Sequence, residues 1–257
     1  MTESKLLRAL GYLIIFLMLG ASASYFVTII LVETGFATPA AMLSAATAGL
    51  KHVGRPYLAL GMHLGIDKTL LIFLANLAAT WLIVVSFFWV TMLNPDERGK
   101  RHIGLRRMLQ RDGSAKLLQT VGLFREIWSP QLRLTAFLLL SVPLAGTMML
   151  GFLTGTMIGA ARYIFGSHLL AFAYIVPHGC FELTAMLLAC SIPLGTWLTI
   201  RNNLLRGRLT VVFVDIDRFR RSSELQIALK SIISLLWIAS VIETQFTQRV
   251  VDLARAI

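Results

Sequence analysis

The stretch Pro177-His178-Gly179-Cys180-Phe181-Glu182 holds the residue types best suited to chemistry in this chain. His178 and Glu182 are four residues apart, so a helix places both on one face, one turn from each other. A second carboxylate, Glu243, stands in another apolar stretch, and Asn76 in a third. An imidazole with two carboxylates in a membrane can relay protons or hold a cation, and the same groups paired with one another can tie helices together. A metal centre needs three or four ligands, and this set lacks the paired-histidine spacing of zinc hydrolases. Three uses therefore stay open: a buried polar clamp, a proton, ion or solute path through His178, Glu182 and Glu243 with Asn76, and intramembrane metal-dependent hydrolysis. No catalytic residue, metal ligand or cofactor is assigned, because the sequence carries no nucleophile elbow, phosphate loop or tandem cysteine motif. Cys180 and Cys190, ten residues apart on one helix, would lie about 15 Å from each other and cannot bridge.

The elements that must carry these residues are strongly apolar. The chain has 257 residues, of which 56% are hydrophobic and only 14% charged, and its mean hydropathy is +0.74. A soluble domain has about a quarter of its residues charged. Residues 9–32, 69–93 and 134–161 are uncharged, 177–200 carries Glu182 alone, and 225–248 carries Lys230 and Glu243. About 20 helical residues cross a hydrocarbon core of ~30 Å. A soluble fold would have to bury several helices with no polar face. The expectation is an all-α, polytopic helical membrane protein, a single integral domain over residues 1–257 with five transmembrane helices. Ala21-Ser22-Ala23 after Lys5 and Arg8 resembles a signal-peptide cleavage site. The apolar run continues through Phe26, Ile29, Ile30 and Leu31, however, which makes a retained anchor the expectation.

Twenty-four Lys and Arg against thirteen acids give a net charge of +11, a balance shared by nucleic-acid binders and membrane proteins with cationic loops. The placement of the basic residues separates the two. Alternate inter-span segments carry seventeen basic residues on one side, nine of them between Asn94 and Arg133, and six on the other. The positive-inside rule then puts the N-terminus in the cytoplasm and the C-terminus outside. No zinc-finger, helix-turn-helix or RNA-binding signature accompanies the charge. The expected partners are the lipid bilayer and membrane proteins or a second copy of the chain, with no nucleic acid.

Several interruptions shape the spans. Residues 169–200 would make one helix of nearly 50 Å, so a break is expected at Pro177 and Gly179, with a re-entrant or half-depth segment before the fourth span and a kink at Pro193. Ser114 caps an expected amphipathic interfacial helix running to Pro130, with Leu117, Val121, Phe124 and Trp128 on one face. Thr38-Pro39 reads as a helix start, followed by the small residues Ala41, Ala45, Ala48 and Gly49. Gly151, Gly155 and Gly159 form a small-residue seam that admits another helix closely, within the chain or across a dimer. Counted from the inner ends of their spans, Glu182 and Glu243 each stand roughly 18 residues up, or ~27 Å, at matching depth.

Pro177-His178-Gly179 followed by Glu182-Leu183 resembles the PHG-x-x-E-L signature of the stage II sporulation protein M family of integral membrane proteins. Gly151-Phe152-Leu153-Thr154-Gly155 with Gly159 is similar to that family's glycine-rich span, and Ile72-Phe73-Leu74-Ala75-Asn76 to its apolar-Asn stretch. Ser240-Val241-Ile242-Glu243 with Phe246-Thr247 resembles its terminal pattern, though Gln248 stands where members commonly have Pro. The resemblance covers roughly residues 69–248. It implies a multipass membrane protein, and in endospore formers the namesake works with peptidoglycan-degrading partners during septal thinning and engulfment. Together with the missing catalytic set, it makes a non-enzymatic scaffold or component of a membrane or cell-envelope complex the leading expectation. An ion- or solute-conducting transporter using the His/Glu site is the alternative.

Overall fold

The structure is a computed structural model that describes residues 3–47, 55–93, 125, 127 and 129–256. Its helices are α1 (Glu3–Glu33), α2 (Pro39–Ala46), α3 (Arg55–His63), α4 (Lys68–Met92), α5 (Pro130–Phe165), α6 (His168–Leu205), α7 (Leu209–Arg220), α8 (Ser223–Gln245) and α9 (Thr247–Ala256). Among the described residues there is no strand. Five of the helices are long and apolar enough to cross a membrane: Lys5–Glu33, Lys68–Thr91, Leu132–Phe165, His168–Leu205 and Ser223–Gln245. An all-α architecture follows because a backbone in hydrocarbon must satisfy its own N–H and C=O groups. The chain is a multipass membrane protein.

Local chemistry sets the helix ends. Thr38 accepts a hydrogen bond from the Ala41 amide at 3.2 Å, with Pro39 in the first turn of α2. Asp67 takes the Thr69 and Leu70 amides at 2.8 and 3.2 Å and so caps α4. These bonds, that from Leu70 foremost, hold the Asp67 carboxyl below its ordinary range. The reversals after α1, α3, α5 and α6 each use a glycine at positive φ: Gly35, Gly65, Gly166 and Gly207.

The expected break in the fourth span does not form. Helix α6 runs unbroken from His168 to Leu205, through Pro177, Gly179 and Pro193. A proline inside a helix removes one backbone hydrogen bond and crowds the preceding turn. A spanning helix tolerates a proline because a break would leave further backbone groups unsatisfied in hydrocarbon. On the turns before Pro177, Leu169, Phe172, Ala173 and Val176 line one wall of an apolar groove, and Val250 and Leu253 of α9 the other. At 38 residues the helix is about 57 Å long, more than a hydrocarbon core spans, and no re-entrant segment precedes it. The fifth span ends at Gln245 rather than 248, where the amphipathic α9 takes over. The interfacial helix expected over 114–130 lies outside the described residues for most of its length, as do Ala48 and Gly49.

Two compact units divide the chain. The first comprises Met1–Leu13, Trp81–Gly146 and Leu188–Leu229. Its core is apolar, with Leu13, Val84, Phe87, Leu139, Ile192, Ile200 and Ile216 buried, and Phe87 meets Phe219 edge to face at 5.5 Å. Arg133, 4% exposed, directs Nε and Nη2 to the Ile127 carbonyl at 3.2 and 2.7 Å.

The second unit comprises Ile14–Thr80, Thr147–Leu187 and Lys230–Ile257. Here α1 and α5 pack with almost no side chain between them. A methyl group on Gly151 would strike the Leu17 carbonyl, and one on Gly155 the Ala21 carbonyl and the Ser24 hydroxyl. A methyl on Gly20 would come within 2.8 Å of the Met148 carbonyl, and one on Gly159 within 3.1 Å of Thr28 Cβ. The Gly151/Gly155/Gly159 stripe thus faces α1 of the same chain. Tyr163 donates its hydroxyl to Glu33 at 3.0 Å, joining the same two helices again.

Candidate functional site

The second unit also gathers the polar side chains of the apolar segments. Helix α4 brings Asn76, α6 brings His178 and Glu182, and α8 brings Glu243. All four are half-buried within the protein. Because α6 is continuous at this level, the four-residue spacing of His178 and Glu182 holds them on one face.

Each of the two turns to a different neighbour. Glu182 accepts a hydrogen bond from the Asn76 side-chain amide through Oε1, joining α6 to α4. His178 places Nδ1 3.4 Å from the Thr247 hydroxyl at the start of α9. One turn on, Thr80 donates its hydroxyl to the Asn76 backbone carbonyl at 2.8 Å. Glu243 lies within electrostatic range of Glu182 and of Lys68. The Thr69 and Thr244 hydroxyls meet at 3.0 Å and join α4 to α8 directly.

The result is a polar belt on α4, α6 and α8 with the first residue of α9. It holds two carboxylates, one amide, one imidazole, one ammonium group and three threonine hydroxyls. Among the described residues no three His, Cys, Asp or Glu side chains converge as a metal-ligand set. Cys180 is exposed and Cys190 buried, and neither forms a disulfide. Pro177 and Gly179 sit inside the helix that presents His178 and Glu182. Beside this belt, the groove of about 450 Å³ lined by Phe172, Val176, Pro177, Val250 and Leu253 is apolar.

Sequence reasoning named His178, Glu182, Glu243 and Asn76 but not Lys68, Thr69, Thr244 or Thr247. A usable signal was present. Thr244 and Thr247 stand one and four residues after Glu243, and Lys68-Thr69 opens the second span two turns before Asn76.

Residues 69–248 match the sequence model of the Stage II sporulation protein M family. The chain belongs to that family. The match spans the sequence from the second candidate span to the end of the fifth. No curated protein and no solved structure matches the chain. Every member of the polar belt except Lys68 falls within the family segment, and Lys68 precedes it by one residue. The glycines that face α1 fall within it too, whereas α1 itself lies outside.

Proposed function

We propose that this stage II sporulation protein M family member is a non-enzymatic multipass scaffold, a component of a membrane or cell-envelope complex. The single observation that carries the reading is the Asn76–Glu182 hydrogen bond. A carboxylate in a membrane costs at least ~2.5–3.5 kcal/mol unless it is paired or wet. Here Glu182 is engaged by a neighbouring helix and His178 by Thr247. Polar atoms spent on one another fix the mutual register of helices, the property a scaffold needs. The partners are other membrane proteins or a second copy of the chain. The N-terminus is cytoplasmic and the C-terminus outside, a reading supported by the charge bias of the loops.

One observation favours a second reading. Glu182 and Glu243 are two acidic side chains within electrostatic range of each other, and two carboxyl groups sharing a site can bind a proton or cation between them. On this reading the belt conducts or transports an ion, and Lys68 sets the occupancy.

Proteoliposomes decide between the two. The scaffold reading expects folded wild-type protein to carry no proton, sodium or potassium flux across imposed gradients, and expects Glu182→Ala to lower folded yield and thermal stability. Flux that Glu182→Gln abolishes without loss of folded protein would establish the transporter instead.

A further inference from the structure

Helix α6 ends in a turn fixed by its backbone. Gly207, at φ +67, donates to the Leu204 carbonyl at 3.0 Å and Arg208 to the Asn203 carbonyl at 2.9 Å. This pair of bonds is the Schellman closure of a helix. Asn203 also reaches Asp215 of α7 at 3.4 Å. The three residues 206–208 are therefore the whole link between a membrane-spanning helix and α7, and Arg206 and Arg208 flank its left-handed glycine.

Helix α7 is amphipathic in an unusual way. Val212, Phe213, Ile216 and Phe219 are buried in the first unit. The opposite face is not simply polar: Val211 and Val214 are 42% and 51% exposed, and Leu205 just before the turn is 53% exposed. Val211, Val214 and Arg218 fall at i, i+3 and i+7, on one stripe of the helix. Arg206, Arg208 and Arg218 are all exposed.

The segment 201–221 holds six arginines against two aspartates. Asp217 takes Arg220 at 2.6 Å and Arg221 at 2.9 Å. Among the described residues Arg206, Arg208 and Arg218 have no ion-pair partner. The internal pairing thus leaves charge at the turn and beside the exposed valines.

We propose that residues 205–218 form a binding surface for anionic phospholipid, in which Arg206, Arg208 and Arg218 take headgroup phosphates and Leu205, Val211 and Val214 enter the margin of the hydrocarbon. A guanidinium fork matches phosphate oxygens, and it is weakly hydrated enough to sit at an interface. Amphipathic helices bind bilayer surfaces by this combination of shallow apolar insertion and basic attraction. An acidic protein or a nucleic acid would pair the arginines but leave the valines and Leu205 in water. The three-residue link also keeps α7 at the end of α6, a helix long and apolar enough to cross a membrane.

The test is native mass spectrometry of the full chain in detergent, titrated with dioleoyl phosphatidylglycerol or dioleoyl phosphatidylcholine. Wild type is expected to bind phosphatidylglycerol about tenfold more tightly or better, with the preference shrinking as salt is raised. Arg206→Gln/Arg208→Gln/Arg218→Gln is expected to lose the preference, and the corresponding triple lysine variant to keep most of it. Val211→Ser/Val214→Ser should weaken both lipids equally. Equal affinity of wild type for the two lipids overturns the proposal, with no variant needed. So does a preference that survives in a folded triple glutamine variant, or stronger binding of an acidic peptide or oligonucleotide than of phosphatidylglycerol.

Discussion

Asn76 donates its side-chain amide to the Glu182 carboxylate across 106 residues of chain, and this bond ties the second span to the fourth. Interhelical polar pairs in membranes are worth about 0.6 kcal/mol on average and up to about 1.7. Removing one partner costs more, because the other is left buried and unmatched.

Asn76→Ala is expected to destabilise the folded protein by about 1–2 kcal/mol, read as reversible unfolding in detergent or by steric trapping in bicelles. A double-mutant cycle with Glu182→Ala isolates the pair, and a coupling of about 0.5–2 kcal/mol is expected. A coupling near zero would show that the two side chains do not act together in the folded protein.

Glycines on two helices should respond in opposite directions. A methyl on Gly155 meets backbone of Ala21, which cannot swing away as a side chain can. Gly155→Ala is expected to cost about 1–3 kcal/mol by overpacking. A methyl on Gly179 meets only Ile175 Cγ2 at an ordinary 3.7 Å. Since α6 is continuous there, Gly179→Ala should be neutral or stabilise by up to about 1 kcal/mol through helix propensity. Comparing thermal midpoints of the two variants checks both, and strong destabilisation by Gly179→Ala would mean that residue 179 needs more than a regular helix.

The cap on α4 gives a pH dependence with a definite sign. The Asp67 carboxyl is held below its ordinary value, chiefly by the Leu70 amide. Its contribution is therefore fully present above the unfolded-state pKa, near 3.8, and is lost as pH falls through the lower folded-state value. Asp67→Asn keeps a capping oxygen but cannot titrate. Its thermal midpoint is expected to fall less than that of wild type as pH drops from about 5 to about 2. Parallel profiles for the two proteins would show that the cap does not contribute.

A topology test addresses orientation. Seventeen basic residues fall in one set of alternate inter-span segments and six in the other. A reporter fused after Ile257 is expected to behave as extracytoplasmic, and one fused before α1 as cytoplasmic. Moving the excess by replacing Arg206, Arg208 and Arg218 with Gln while adding lysines around Thr34 should weaken that preference.

The five spans were legible because hydropathy over ~20 residues is a local, additive property that needs no knowledge of neighbours. The start of α2 is likewise local, since Thr38-Pro39 marks it within one turn, whereas the Asp67 cap on α4 emerges from the structure. The expected break at Pro177 failed for the opposite reason. Whether a helix carries a proline through depends on how the surroundings satisfy its backbone, which no local sequence pattern records.

The polar belt divides in the same way. Helix periodicity and residue type suffice to put His178 and Glu182 on one face and a carboxylate in each of two apolar segments. That Glu182 takes Asn76 and that His178 turns to Thr247 comes from the fold alone. A span is apolar all round, so its sequence barely fixes the rotation of the helix about its own axis. That rotation comes from packing, as where Gly151 and Gly155 let α5 press against α1, and it is what selects each polar side chain's partner.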